Sequence, residues 1–185
     1  MALSSDFAHA SQRDKDDLLL KASWKNDLDG VKTALTAGAS VKATEQDGAT
    51  ALHYAARNDN AEMVRLLIHA SADVNALNND CRTPLYYAMR ARTTAEILLE
   101  NGASPNARTM QGWMPLHEAV ECKNLEMAKL LVDYGADPFI PCLTNETADD
   151  IATKRGYREF SEVFATVPKA PGAKPAKRVK QLDLF

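Results

Sequence analysis

The sequence predicts an all-α solenoid made of about five helix-turn-helix units. The main observation is a repeat of about 33 residues: T-A-L-H-Y-A-A at 50–56 recurs as T-P-L-Y-Y-A-M at 83–89 and as M-P-L-H-E-A-V at 114–120. A second apolar stretch follows each heptapeptide, and a Gly/Ser-Ala-Asp/Ser signal ends it. A period of this length and content is typical of stacked helix pairs that share one continuous core.

The first helix of each unit carries residues suited to a helix start. Thr50 and Thr83 stand at the N-cap position, where we expect the hydroxyl to accept a hydrogen bond from a free backbone N–H. Pro84 and Pro115 follow at the first helical position, where a missing N–H costs nothing. The small Ala-Ala pair at 55–56 allows this helix to pack closely against its neighbours.

The second helix of three units ends at a glycine. Gly38, Gly102 and Gly135 are placed where a left-handed backbone terminates a helix. The third unit is two residues short, and we expect its connection between Met89 and Thr94 to be tightened. Leucines supply the apolar ridge of the second helices: Leu66, Leu67, Leu98, Leu99, Leu130 and Leu131.

This pattern resembles the ankyrin repeat over roughly residues 14–165. The resemblance implies helix pairs joined by β-turn tips, with more polar end units over 17–43 and 147–157 that cap the stack against water. It also implies a protein-binding function, exercised through the turn tips and through the concave face of the first helices.

Mapped onto this sequence, those positions give candidate partner-binding residues. Trp113 and Met110 share one tip, and a tryptophan near arginines has the composition of a binding hot spot. The alternative is that Trp113 packs sideways between adjacent tips. The candidates on this face are Trp24, Arg57, Arg82, Arg90, Met110 and Trp113.

No pattern indicates catalysis, a metal site or a cofactor. The sequence has no Gly-rich phosphate loop, no H-E-x-x-H and no nucleophile elbow. His53 and His117 occupy the histidine position of the repeat, and the resemblance implies that a ring nitrogen there holds neighbouring backbone in register. Asp149 and Asp150 are interpreted as a capping feature at a helix start, and Cys122 as a structural thiol. We therefore expect a binding protein with no catalytic residues, no metal and no cofactor.

Composition and charge predict a cytoplasmic monomer without membrane contact. Residues 1–10 lack the basic start and apolar run of a signal peptide, and three separated cysteines fit reduced thiols. The net charge is −3, of which residues 168–185 contribute +4 and residues 1–167 contribute −7. Because nucleic acid attracts cationic surfaces, the acidic body is not expected to make sequence-specific contacts with it.

The chain divides into four segments. We expect a flexible N-terminus at 1–13, the repeat domain at 14–167, a disordered basic Pro/Lys-rich linker at 168–180 and a short linear motif at 181–185. The linear motif consists of Gln181, Leu182, Asp183, Leu184 and Phe185.

The linear motif resembles the peptide Q-L-(S/D)-L-F, by which bacterial polymerases and mismatch-repair proteins dock on the replication sliding clamp. All five positions match, and a motif that follows such a linker is accessible. The resemblance implies an adaptor or inhibitor whose groove binds an unknown protein while its tail binds the bacterial DNA polymerase sliding clamp. The alternative is that the three apolar side chains fold back onto the domain.

Two other functions remain open. The run K-R-V-K at 177–180 resembles a short nuclear-import signal, which would make the protein a nuclear scaffold. A groove that plugs a toxin would make it an immunity protein or inhibitor, which is compatible with clamp binding.

Overall fold

The computed structural model describes residues 10–168, and all regular secondary structure in this range is helical apart from one bridge between Thr44 and Thr50. Five consecutive helix pairs confirm the predicted all-α solenoid. The helices are α1 (Gln12–Trp24), α2 (Leu28–Thr36), α3 (Ala51–Arg57), α4 (Ala61–His69), α5 (Pro84–Tyr87), α6 (Arg92–Glu100), α7 (Pro115–Glu121), α8 (Leu125–Asp133), α9 (Ala148–Arg155) and α10 (Arg158–Phe164). Residues 1–9 and 169–185, which include nearly all of the predicted linker and the whole linear motif, lie outside the described residues.

Helix α1 begins two residues before the predicted domain start at residue 14. Ser11 caps it: the Ser11 Oγ accepts from the N–H of Asp14 (3.2 Å), and the Asp14 carboxylate accepts from the N–H of Ser11 (3.2 Å). This reciprocal pair satisfies two backbone donors. Thr147 and Asp150 form the same arrangement at the start of α9, at 3.0 and 2.9 Å, so the capping role predicted for the acidic pair holds for its second member.

The core lies between a layer of inner helices (α1, α3, α5, α7, α9) and a layer of outer helices. Leucines from both layers fill it, and burial of each stabilises the fold by roughly 1.5–3 kcal/mol. The leucines with no exposed surface include Leu52, Leu67, Leu85, Leu98 and Leu131. Ala55 and Ala56 are also fully buried, and their short side chains let neighbouring inner helices approach α3.

Three of the outer helices are followed by the predicted left-handed glycines. Gly38, Gly102 and Gly135 have φ of +87°, +87° and +88°. Ser71 takes the same left-handed conformation in the second repeat, with φ of +68°.

The turn tips form a row that is hydrogen-bonded from repeat to repeat. Three main-chain N–H groups donate to the preceding tip: Asn79 to Asp47 O (2.8 Å), Met110 to Asp80 O (2.9 Å) and Leu143 to Gln111 O (3.4 Å). A Cβ on Gly48 or Gly112 would come within 2.8 Å of the backbone nitrogen of the next tip, so close tip stacking requires glycine there.

The third repeat differs from its neighbours in its inner helix. Helix α5 has four residues, whereas α3 and α7 have seven. The expectation of a tightened connection at 89–94 is wrong: α6 starts at Arg92 and keeps the nine residues of α4 and α8. The inner helix is shortened at its end instead.

Candidate protein-binding surface

Two pockets lie between the turn tips and the inner helices, one near each end of the stack. We call the surface that carries them, formed by the tips and the exposed inner-helix positions, the groove face. The N-terminal pocket has a volume of about 400 Å³ and is lined by Lys21, Trp24, Glu45, Gln46, Asp47 and Tyr54. The C-terminal pocket has a volume of about 200 Å³ and is lined by Trp113, Glu121, Glu146, Ile151, Lys154 and Arg155.

The structure places the predicted arginines on this face in different surroundings. Arg57 is exposed, and its Cζ lies 5.2 Å from the centre of the Tyr54 ring. Arg82 is half-buried, with Cζ 5.4 Å from the Tyr86 ring and Nη1 3.6 Å from the Asp80 carboxylate. Arg57 therefore offers its guanidinium to solvent, while Arg82 also helps to hold its own repeat together. The third predicted arginine, Arg90, is exposed at the end of the short α5 unit.

Trp113 and Met110, predicted as one hot spot, are separated by their burial. Met110 is 58% exposed at the tip. Trp113 is half-buried, and its ring centre lies 5.9 Å from that of His117. Its pocket is also lined by two ion pairs, Lys154–Glu146 and Arg155–Glu121. Trp113 is therefore partly covered and lies beside a pocket that it shares with the last repeat, whereas Met110 is the exposed member of the predicted pair.

His53 and His117 each connect their own helix start to the next tip. Nδ1 of His53 accepts from the N–H of Thr50 (3.1 Å), which leaves the proton on Nε2 to be donated to the Arg82 carbonyl (3.0 Å). His117 repeats this arrangement with the N–H of Met114 (3.4 Å) and the Glu146 carbonyl (3.1 Å). Burial lowers the pKa of both imidazoles, which keeps them neutral and fits the structural role implied for them.

The expected hydroxyl caps take a different form. Thr50 stands at the N-cap of α3 in a capping box with His53, and its Oγ1 lies 2.9 Å from the Nδ1 of that ring. Thr83 stands at the same position in the third repeat, is buried, and has an Oγ1 without a partner among the described atoms. The prediction that the threonine hydroxyl accepts a backbone N–H is therefore wrong for Thr83. The ring that accepts from the N–H of Thr50 has no counterpart in the third repeat.

Tyr86 replaces the histidine in the third repeat and bonds differently. Its hydroxyl donates to the Glu118 carboxylate on α7 at 2.8 Å, and Cys122 Sγ lies 3.4 Å from the same carboxylate. Burial is the main cause that raises the pKa of Tyr86 and of the Cys122 thiol, and the neighbouring Glu118 carboxylate raises both further. The thiol therefore stays protonated. Sequence reasoning did not single out Tyr86, Glu118, Tyr54 or Glu45. The signal available was the Tyr at a histidine position of the repeat.

The described part of the chain contains neither a metal cluster nor a membrane-spanning helix. Within residues 10–168, no group of three or more His, Cys, Asp or Glu side chains is arranged to hold a metal ion. In the same range, no helix has the length and apolarity needed to cross a lipid bilayer.

Comparison with known proteins places the repeats in a family. A family model for ankyrin repeats in three copies matches residues 19–109, and a model for many copies of the ankyrin repeat matches residues 98–152. The chain is 41% identical over 64 residues to the human BCL-6 corepressor-like protein 1, a match that covers 35% of this chain and 4% of that protein.

Two further relatives show the same kind of partial coverage. The chain is 41% identical over 71 residues to the Caenorhabditis elegans homolog of ankyrin repeat and LEM domain-containing protein 1, which covers 37% of this chain and 10% of that protein. It is 30% identical over 145 residues to the Arabidopsis thaliana putative E3 ubiquitin-protein ligase XBAT34, which covers 77% of this chain and 31% of that protein. The chain thus spans less than a third of the length of each relative. With its helix pairs, its tip row and both family matches, the chain belongs to the ankyrin-repeat family.

Proposed function

We propose that this protein is a binding adaptor or inhibitor, without catalytic activity, that joins two partners. The groove face of the ankyrin repeats binds one protein. The linear motif at 181–185 docks on the bacterial DNA sliding clamp.

The groove half of the proposal is carried by the composition of the exposed side chains. Trp24 and Met110 are 57% and 58% exposed, and Arg57 and Arg90 are exposed as well. Tryptophan and arginine are the residues most enriched among binding hot spots, and methionine is enriched in interfaces generally. Their placement on one face, beside a tip row fixed by main-chain hydrogen bonds, supports a preorganised interface that loses little freedom on binding.

The clamp half is supported by the sequence alone. Leu182, Leu184 and Phe185 supply three large apolar side chains, and Gln181 and Asp183 complete the match to the clamp-binding peptide. Burial of the three side chains is worth roughly 5–9 kcal/mol before the cost of ordering the peptide is subtracted. The remainder corresponds to a dissociation constant on the order of micromolar.

The basic linker has a secondary role in this proposal. Lys174, Lys177, Arg178 and Lys180 precede the motif, and they would contact DNA phosphates or an acidic clamp surface during encounter. Such contacts speed association and weaken with salt, but they do not replace apolar anchoring.

The test is a titration of the peptide 177–185 and of the whole chain against a bacterial sliding clamp by fluorescence anisotropy. We expect saturable binding at about micromolar concentration. The double substitution Leu184→Ala, Phe185→Ala should abolish it, whereas Lys177→Gln, Arg178→Gln, Lys180→Gln should leave the complex intact with slower, less salt-sensitive association. Wild-type affinity in the double Ala variant would overturn the clamp assignment.

A nuclear ankyrin scaffold is the second candidate. It is favoured by the basic run at 177–180 and by the similarity to a human protein named as corepressor-like. This candidate forecasts the reverse ranking: the three basic residues become essential for nuclear accumulation in a eukaryotic cell, and the apolar pair becomes dispensable. An immunity protein whose groove plugs a toxin would share the groove face and is compatible with clamp docking. The clamp assignment is preferred because it matches five of five positions, and with it we propose a cytoplasmic location.

A further inference from the structure

The N-terminal pocket of the groove face combines an exposed aromatic ring with two carboxylates. Trp24 ends α1 with 57% of its surface exposed, and Glu45 and Asp47 are exposed on the first tip opposite it. One oxygen of Asp47 accepts from the N–H of Ala49 at 2.9 Å. Among residues 10–168 neither carboxylate belongs to an ion pair, so both retain acceptor capacity directed at the pocket or at solvent.

The carboxylates outweigh the nearby cations at the floor of the pocket. Lys21 lines the pocket and Arg57 stacks on the floor residue Tyr54. Burial raises the pKa of Tyr54 to about 12, and the charges of Asp47 and then Glu45 each raise it by more than Arg57 lowers it. The two carboxylates therefore act more strongly on the Tyr54 hydroxyl than the Arg57 guanidinium that stacks on its ring.

We propose that this pocket binds a cationic side chain, preferentially arginine, presented by an extended segment of the protein that the groove face recognises. The planar guanidinium would stack on the exposed face of Trp24 and donate hydrogen bonds to Glu45 and Asp47. This inference rests on the proposed groove function and specifies the chemistry of the partner at one end of it.

The chain's own basic linker is a poorer occupant than a separate partner. The pocket lies between the first and second repeats, whereas the linker continues from the fifth. Three to four repeat spacings of about 8–10 Å give a separation of roughly 24–40 Å. The ten residues from 168 to Arg178 span about 35 Å only at full extension, which carries a large ordering cost.

The test uses the full chain and a small probe, N-acetyl-arginine amide, followed by NMR of the two tryptophan indole N–H signals, which a Trp113→Phe variant assigns. N-acetyl-citrulline amide is the matched control, because it keeps the size and planarity of arginine and lacks its charge. We expect a saturable shift of the Trp24 signal with a dissociation constant on the order of millimolar, and at least about tenfold weaker binding of citrulline.

Substitutions in the pocket should change probe affinity in opposite directions. Glu45→Gln and Asp47→Asn should each weaken arginine binding about threefold, the effect of a unit charge about 6 Å away in water. Lys21→Gln should strengthen it by a similar factor. Lys32→Gln is the control for Lys21→Gln, because both remove one positive charge. Lys32 pairs with Glu62 at 3.1 Å on the outer helices, away from the pocket, so its substitution should leave the affinity unchanged.

Three results would overturn the inference. The first is a Trp24 signal shift with the citrulline probe equal to that with the arginine probe. The second is an unchanged affinity for the arginine probe in both Glu45→Gln and Asp47→Asn. The third is a Trp24 signal that moves, before any probe is added, when the linker residues Lys177, Arg178 and Lys180 are changed to Gln. The last result would assign the pocket to the chain's own linker. Clamp titration with peptide 177–185 does not involve Trp24, so a failure of either experiment leaves the other assignment separately testable.

Discussion

Repeats two and four are each tied to the following tip by a buried histidine, and repeat three is not. His53 and His117 are fully buried and bond both their own helix start and the next tip, at Arg82 and Glu146. Tyr86 at the same position reaches across the groove face to Glu118 instead. The difference shows that the side chain at one repeat position decides whether adjacent repeats are joined through a buried helix start and the next tip or across the groove face.

The third repeat differs from its neighbours in other contacts as well. Thr83 Oγ1 and Arg82 Nε are buried atoms without hydrogen-bond partners among the described residues, whereas Thr50 Oγ1 has the His53 ring. Ala91, the N-cap residue of α6, provides no side-chain cap, while α4 and α8 are capped by Asn60 and Asn124. We expect the boundary between repeats three and four to be the least stable part of the described stack.

The largest expected effect is that of His53→Ala. It leaves the Arg82 carbonyl and the Thr50 N–H without the ring and opens a cavity, so we expect a loss of about 2–4 kcal/mol in the free energy of unfolding, measured by urea titration with circular dichroism. His117→Ala should behave similarly. Tyr86→Phe removes one partly exposed hydrogen bond and should cost only about 0.5–1.5 kcal/mol. Equal losses in all three variants would show that the histidine-linked and tyrosine-linked repeats do not differ in stability.

The next effect is a pH dependence confined to the histidine repeats. Burial lowers the pKa of His53 and His117 below the ordinary value of 6.5, so the unfolded chain binds protons that the folded imidazoles do not. The stability from the neutral rings is present above about pH 6.5 and is lost as the pH falls toward the lower, folded-state pKa. Urea midpoints at pH 7.5 and 5.5 should therefore differ in the wild type, and the difference should shrink in His53→Ala. An unchanged difference would mean that other groups carry the acid sensitivity.

A matched pair of threonine substitutions tests whether the buried Thr83 hydroxyl lacks a hydrogen-bond partner. Thr50→Val removes a hydroxyl that lies 2.9 Å from the His53 ring and should cost about 1 kcal/mol. Thr83→Val removes a buried hydroxyl without a partner and should be neutral or slightly stabilising. Both are measured by urea unfolding, and a larger loss from Thr83→Val would show that its hydroxyl has a partner in solution.

The smallest expected effect is a gain from Tyr86→His. A histidine there would accept from the Thr83 N–H and donate to the Trp113 carbonyl, the counterpart of Arg82 and Glu146 in the other repeats. We expect a net stabilisation of about 0.5–1 kcal/mol after loss of the bond to Glu118, again from urea unfolding. A destabilised variant would indicate that the short α5 holds the ring out of reach of the next tip.

Local sequence signals predicted most of the fold because each acts within one repeat. The left-handed glycines, such as Gly38 and Gly102, and the prolines at helix starts, such as Pro84, were correctly placed from their neighbours in sequence. The same signals missed the difference between Thr50, which forms a capping box with His53, and Thr83, which is followed by Tyr86 and keeps a hydroxyl without a partner. The two rings differ because His53 bonds to a carbonyl of the next tip and Tyr86 bonds to Glu118, and a signal within one repeat specifies neither partner.

The candidate surface was predicted less completely. The six candidate residues came from tip and helix positions, but burial separates Met110 from Trp113, and Arg82 is held by Asp80 and Tyr86. The N-terminal pocket was not predicted, since it brings Trp24 of the first repeat against a tip that begins twenty-one residues later, at Glu45.

The 33-residue period, the capping residues and the apolar ridges determined by themselves that this chain forms an ankyrin stack, because each signal is a short-range conformational preference repeated in register. The tertiary structure decided which groups are shared between repeats: the histidine links, the Tyr86–Glu118 bond, the pocket that Trp113 shares with the last repeat and the acidic aromatic pocket at Trp24. These depend on distances between residues of neighbouring repeats, which only the stacking of one repeat on the next establishes.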